Sequence, residues 1–364
     1  MRIEFKLKFE GNKLKCDENK LKFAVMQMKL QYKEGGKKVL TLLSFIFFPL
    51  FLACAQSPFV MRGLTFVELN CENLFDCQHD SLKQDTEFTP AGARHWTPSK
   101  YWRKLNHTGQ TILSCHHQVP DLVALVEVEN DSVLRDLTRR SLLRAAGYEY
   151  LMTESPDVRG IDVALLYQPA VFRPVCYETI GVPPLKGMRP TRDILYVKGE
   201  LVTGDTLHVF VVHAPSQYGG ERETRPFRMQ TAGRLMMAVD SLNRAVPNAD
   251  ILVAGDFNEP VDGPALRWLM EHGLQSVTTQ LKGTHGARAN YRYKGRWEQI
   301  DHVLVSPLLA ARVLSASIND APFLLEDDAV YGGVKPFRTF NGYRYQPGFS
   351  DHLPLVVCFS LLPH

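Results

Sequence analysis

Hydrophobic positions along the chain gather in short runs rather than in long amphipathic stripes. The runs are Leu64–Leu69, Leu122–Val128, Ile161–Tyr167, Ile194–Leu201, Leu207–His213, Ile251–Ala254, Asp301–Val305 and Leu355–Phe359. Most are rich in Val, Ile and Leu, and several are apolar on nearly consecutive positions. A strand wetted on one face alternates apolar and polar side chains, whereas a strand covered on both faces does not. These runs therefore predict strands buried on both sides, by another sheet or by helices. Helical spacing appears between them. Ser99–Cys115 follows a Thr-Pro-Ser capping region and aligns Tyr101, Leu105 and Ile112. Asp131–Ala146 follows the N-cap residue Asn130 and presents Val133, Leu134, Leu137 and Leu142. Pro226–Ala245 repeats the pattern with Phe227, Leu235, Met236, Val239 and Leu242. A Gly204-Asp205 turn between Ile194–Leu201 and Leu207–His213 predicts a hairpin. Strands outnumber helices, so mixed sheets with helices outside fit better than a purely parallel sheet.

The first part of the chain follows another logic. Val39 to Ala53 is apolar except for Thr41, Ser44 and Pro49, and it is shorter than the ~20 residues that span a bilayer. Lys37 and Lys38 precede it and Ala53-Cys-Ala55 follows, the layout of a secretory signal peptide. A buried hydrophobic helix is the alternative, but the run lacks a polar face. Residues 1–27 precede a normal signal start, and Met26 or Met28 are candidate initiators. Cleavage after Ala55 releases a protein starting at Gln56. Alternatively, Phe51-Leu-Ala-Cys54 acts as a lipoprotein signal and Cys54 carries the lipid, the only membrane contact expected. Residues 1–55 are thus read as extension plus signal, and 56–364 as one domain in an exported protein: periplasmic, secreted or lipid-anchored.

Setting the leader aside changes the charge balance. The chain holds 42 Lys+Arg and 39 Asp+Glu; residues 1–55 take 11 and 5, leaving 31 and 34. Global charge therefore gives no support for non-specific nucleic-acid binding, and a polyanion must be held by a local patch or a metal. The cysteines after the leader are Cys71, Cys77, Cys115, Cys176 and Cys358. Their odd number and spacing fit no metal-ligand pattern and favour mostly free thiols, with Cys71–Cys77 the one conceivable bridge.

Six segments bring a carboxylate, amide or histidine to the rim of a predicted strand. They are Asn70 in Val67-Glu-Leu-Asn70, Glu127 in Leu125-Val-Glu-Val128, and His213 in Val211-Val-His-Ala-Pro-Ser216. Then follow Asp256 and Asn258 in Ala254-Gly-Asp-Phe-Asn258, Asp301 in Gln299-Ile-Asp-His302, and Asp351 with His352 in Phe349-Ser-Asp-His352. One aspartate closing a strand is most often a turn former, and Asp256-Phe-Asn258 alone reads equally as an Asx-turn. Six such rims together form an oxygen-rich lining suited to a hard cation and a phosphate.

In this order the segments resemble the endonuclease/exonuclease/phosphatase superfamily, from Leu64 to Pro363; Gly255-Asp-Phe-Asn258 and Ser350-Asp-His352 are the most specific parts. The resemblance implies a four-layered α/β/β/α sandwich, two mixed β-sheets face to face with helices outside. It implies a Mg²⁺ or Mn²⁺ ion at Glu127, with Asn70 supporting that metal or the scissile phosphate and Asp351 completing the metal environment or orienting His352. Asp256 would orient or deprotonate the attacking water, Asn258 would bind a phosphate oxygen, and His213 would lie near the leaving group or a phosphate oxygen. His352 would stabilise developing charge, buttressed by Asp301. Val126 departs from the glutamine that many members have before the metal glutamate.

Outside these segments, arginines are candidate phosphate clamps. They are Arg189 and Arg192 in Met188-Arg-Pro-Thr-Arg192, and Arg225 and Arg228 at a helix start. Tyr218 sits in the Gly-rich loop after His213, and Asp162 follows Arg159-Gly-Ile near the expected rim. Tyr291, Tyr293, Trp297, Phe337, Phe340, Tyr343 and Tyr345 interleave with arginines, an arrangement that either stacks bases or packs a long loop. The leading expectation is an exported divalent-metal phosphodiesterase, foremost a nuclease acting as a monomer with no obligate protein partner. Alternatives are a phosphomonoesterase, a sphingomyelinase-like phospholipid phosphodiesterase, and a non-catalytic binding protein on the same fold.

Overall fold

Two six-stranded mixed sheets packed face to face account for the two-sided apolar runs. This is seen in a computed structural model that describes residues 63–361. The signal sequence, the Cys54 anchor and the 55/56 boundary lie outside the described residues.

In chain order the sheet strands are β1 (Gly63–Leu74), β2 (Leu122–Val128), β3 (Glu149–Met152), β4 (Asp162–Tyr167), β5 (Phe172–Ile180) and β6 (Ile194–Leu201). They continue as β7 (Thr206–His213), β8 (Asp250–Asp256), β9 (Gln275–Ser276), β10 (Asp301–Val305), β11 (Val313–Ile318) and β12 (Leu355–Ser360). One sheet runs β11-β12-β1-β2-β4-β3 and the other β5-β6-β7-β8-β10-β9. Helices α1 (Pro98–Ser114) and α2 (Asp131–Arg139) cover the first sheet; α3 (Glu221–Ala245) and α4 (Pro264–Glu271) cover the second.

Strand alternation sorts each run between two cores. Along β1, Leu64 and Phe66 enter the core between the sheets, while Val67 and Leu69 meet the helices. On β8, Leu252 and Ala254 face the other sheet, and Ile251 and Val253 face α3 and α4. Burial of each such large side chain contributes about 1.5–3 kcal/mol relative to exposure. Val126 lies in the core between the sheets.

Each sheet is built around one parallel pair, β1 with β2 and β7 with β8. Helix α1 makes the first crossover and α3 the second. The neighbours of these pairs run antiparallel: β12 beside β1, β4 beside β2, β6 beside β7 and β10 beside β8. Strands β1, β2, β7 and β8 therefore finish at the site, whereas β10 starts there and Asp351 and His352 come just before β12.

Two helices differ from the sequence expectation. Helix α3 starts at Glu221, five residues ahead of Pro226, with Glu221 and Glu223 in its first turn. Pro226 lacks the N–H that would bond Arg222, and the helix passes through it. Helix α2 stops at Arg139, and a short 3-10 turn covers Leu142–Ala145. Ser141 causes the break: its hydroxyl donates to Leu137 O and accepts from Leu143 N. The five cysteines in the described residues are free thiols. Among the described residues no helix is long and apolar enough to cross a membrane.

Candidate active site

The finishing and starting strand ends enclose a cavity of about 610 Å³. Asn70, Glu127, His213, Asp256, Asn258, Asp351 and His352 all line it, and Asp301 lies directly behind His352. Residues 70 and 352, far apart in sequence, thus share one site.

The backbone bends to present these groups. Eight non-glycine residues have positive φ among those described, and Glu72, Asn73, Glu127 and Asn258, four of them, line the cavity. A left-handed conformation costs roughly 1–2 kcal/mol for a residue with a Cβ, and such strain collects at functional sites. Glu127 has φ 62° where the β2–β4 register slips between Val126 and Val128. Gly255 lies opposite Val212 on the β7–β8 pair, one step before the facing residues His213 and Asp256. Its φ is 141°, and a Cβ there would stand 1.9 Å from Val212 O. Only glycine permits that approach.

Asp256 is the hub. Its Oδ1 accepts from Asn258 N at 2.7 Å, so the Asx-turn forms, and its Oδ2 accepts from Asn70 Nδ2 at 3.1 Å. His213 Nε2 lies 3.7 Å from Asp256 Oδ2 and 3.9 Å from Glu127 Oε1. Glu127 Oε2 accepts from Asn73 N at 2.9 Å. Asn258 Nδ2 donates to Ala214 O at 3.0 Å and fastens the β8 end to the β7 end. Asn70, expected to support the metal or the scissile phosphate, turns its NH₂ to Asp256, and its Oδ1 accepts from Glu72 N at 2.9 Å. Its contact orients the carboxylate.

Opposite, His352 Nδ1 meets Asp301 Oδ2 at 2.6 Å with both residues buried. Asn290 Nδ2 donates to the same oxygen. Tyr291 lies against the imidazole with ring centroids 4.7 Å apart. Ser350 Oγ donates to Asn70 O at 2.7 Å and accepts from His352 N at 3.1 Å, so it ties the late motif to β1.

Electrostatics separates the roles. Burial alone would lower His352, but the charge and hydrogen bond of Asp301, with Asp351 and Asp256, hold it well above the ordinary imidazole value. His213 is driven well below that value by burial, then by Arg192 and Arg159, and stays neutral. Burial, followed by the Asp301 charge, pushes Asp256 up to about 8. Glu127, Asp256, Asp301 and Asp351 thus crowd a site in which His352 pairs with Asp301 and Arg338 with Asp351. Asp301 Oδ1 and His213 Nδ1 are buried without a hydrogen-bond partner. Oxygen donors in excess of positive charge fit a hard divalent cation. Asp256, Asp301 and His352 offer atoms within 4.8 Å of one another. Glu127 and Asp351 widen the donor set.

The other arginines expected as clamps lie elsewhere. Arg228 is buried against Glu259 at 3.0 Å, and Glu259 also accepts from Ala265 N and Leu266 N to cap α4. Arg225 is exposed and pairs with Glu221 at 2.8 Å. Arg189 is exposed and does not line the cavity, whereas Tyr218 does. Arg192 is buried, bonded to Asp157 at 3.2 Å and to Ala214 O at 2.7 Å. Asp162 is likewise engaged, by Thr153 and Ser155. The cavity's guanidinium groups are Arg94, Arg159 and Arg338. Arg94 is fixed by Glu87 at 2.9 Å and Arg338 by Asp351 at 2.8 Å; among the described residues the Arg159 guanidinium has only Asp157, at 4.0 Å. Arg159 stands next to Gly160, whose φ of 81° marks a turn, and that glycine is the sequence signal for a loop at this position. Of the aromatics, Tyr291, Tyr293 and Phe340 line the cavity, while Tyr345 packs on Trp96.

Comparison with known proteins gives the same grouping. The sequence model of the Endonuclease/Exonuclease/phosphatase family matches residues 65–360. A family protein from Bacteroides thetaiotaomicron superposes with TM-score 0.55 at 16% identity, over 82% of this chain and 99% of its own. A mannosyl-6-phosphatase from the same organism gives 0.55 at 17%, over 81% and 98%. The human Nocturnin catalytic domain, with a bound sulfate anion, gives 0.51 at 16%, over 82% and 94%. No curated protein sequence matches the chain. The structural likenesses speak for the fold, and the match across the two sheets makes this chain a member of the endonuclease/exonuclease/phosphatase family and a phosphoester hydrolase.

Proposed function

We propose that the protein is a divalent-metal-dependent phosphodiesterase acting on nucleic acid, with water attacking phosphorus in line. The observation that supports this most is the placement of Asp256 and the Asp301–His352 pair around one cavity lined by Glu127. A bound Mg²⁺ or Mn²⁺ would neutralise phosphate charge as a Lewis acid, held by Glu127 and Asp351. Asp256 receives the proton of the attacking water, and Asn70 fixes that carboxylate. His352, with Nδ1 engaged by Asp301, directs its Nε2–H at a phosphate oxygen. His213 donates without adding charge. Tyr218 and Tyr293, exposed at the cavity, offer faces on which bases stack.

A second reading, a phosphomonoesterase for a small ester, draws on the cavity volume, which is that of a small-molecule site, and on the acidic balance after residue 55. A metal-dependent assay on plasmid DNA, RNA and sugar phosphates separates them. Nicking of DNA or RNA is expected; release of phosphate from monoesters alone would favour the second reading. Arg159, the least engaged guanidinium, contacts phosphate in either case. Arg159→Ala is expected to raise KM about tenfold or more with a smaller change in kcat, from loss of a charge-assisted hydrogen bond. An unchanged KM removes Arg159 from the site. We place the reaction outside the cytoplasm on the strength of residues 37–55; the mature N-terminus, read by mass spectrometry, tests this.

A further inference from the structure

Helix α1 contains a lysine that the catalytic scheme does not use. Lys104 is 1% exposed. Its ammonium donates to Thr339 Oγ1 at 2.6 Å and to Phe349 O at 2.5 Å. These acceptors stand on the two legs of one excursion, which leaves at Phe337 and returns at Phe349, where Phe349 N donates to Phe337 O at 2.6 Å. One turn further along α1, His107 donates to Gly348 O at 2.8 Å and stacks on Phe349.

The same excursion is gripped from β1. Glu72 is buried and accepts from Thr339 N at 2.5 Å and Phe340 N at 3.1 Å. Arg338 then spans Glu72, at 3.4 Å, and Asp351 Oδ2, at 2.8 Å. Lys104 thus lies at one end of a continuous path, Lys104–Thr339–Glu72–Arg338–Asp351, that ends on a carboxylate of the cavity. A lysine buried this deeply is costly to desolvate unless its hydrogen bonds are made. Helix α1 is the β1–β2 crossover, so the path ties the late motif to the strands that bear Asn70 and Glu127.

We propose that Lys104 is a positioning residue: it latches the 337–349 excursion to α1 and thereby holds Asp351 where a divalent cation is bound. The inference rests on the metal-dependent reading above. Groups that act behind a metal ligand typically set affinity by 10–100-fold. Lys104→Met is expected to weaken Mn²⁺ binding, read by electron paramagnetic resonance, about tenfold, and to lower kcat with little change in KM. Thr339→Val breaks the same path with a near-isosteric side chain and is expected to do likewise. The double variant is expected to be no worse than the worse single one, since both cut one linkage.

Mn²⁺ affinity within twofold of the parent in Thr339→Val overturns the latch, and so do multiplicative effects in the double variant. If Lys104→Met does not fold, the Thr339→Val affinity alone decides. Failure of the parent protein to bind Mn²⁺ or to hydrolyse any phosphate ester sinks the functional reading instead, and is seen before either variant is made.

Discussion

Asp256→Asn is expected to lower kcat about 10²–10⁴-fold while leaving the metal-free protein at least as stable as the parent. The side chain keeps its shape, and its oxygen can still accept from Asn258 N, the bond that shapes the turn after β8. What disappears is the base, together with the carboxylate oxygen that Asn70 Nδ2 addresses. The stability expectation follows from the crowding of carboxylates. Burial and Asp301 push Asp256 up to about 8, whereas an aspartate in the unfolded chain ionises near about 4. Between those values the folded, metal-free protein keeps a proton that the unfolded chain has lost. Its stability therefore falls as pH rises through that window. Asp256→Asn removes this group's share of the dependence, while Glu72 and Glu129, raised by burial to about 7 and about 8, keep theirs, so the slope becomes shallower than the parent's. Thermal melting against pH without metal, alongside the activity assay, checks both halves. Full metal-dependent turnover in the variant would remove Asp256 from the chemistry.

Asp301→Asn is expected to cost a comparable factor, about 10²–10⁴-fold, and to reshape the pH profile. Asp301 counters the effect of burial on His352 and keeps the imidazole charged past neutrality. Asparagine retains a hydrogen bond to Nδ1 but not the charge, so the His352 value falls. Activity that needs the imidazolium is then lost at a lower pH than in the parent, so the alkaline limb of kcat/KM moves down. An alkaline limb at the parent's position would show that Asp301 serves packing alone.

The fold was legible where both strand faces are covered. The eight apolar runs mark the interior strands β1, β2, β4, β6, β7, β8, β10 and β12. The missed strands, β3, β5, β9 and β11, are the four sheet edges. Their side chains meet water, as Val175 and Tyr177 on β5 do, so no apolar run announces them. The site was legible as strand ends because carboxylates and amides interrupt apolar runs there. Its orientation was not: nothing in Val67-Glu-Leu-Asn70 says that the Asn70 oxygen serves Glu72 N. Arginines resisted reading for a related reason. Arg228 and Arg159 look alike in sequence, and only the position of Glu259 beside the one, and the weak Asp157 contact of the other, separates a structural ion pair from a cavity cation. Lys104 and Glu72 were invisible because their partner, Thr339, lies more than two hundred residues downstream.

Strand β12 sits between β1 and the edge strand β11, with Gly63 opposite Ser360. The first strand of the domain therefore waits for the last. Until residues 355–360 have been synthesised, β1 lacks one neighbour, and Asp351 and His352 have no strand to hold them beside Asp256. A nascent or truncated chain that ends before this point carries Glu127 and Asp256 but no assembled centre. Loss of residues 355–360 would therefore take from β1 one neighbour and from His352 the strand that follows it.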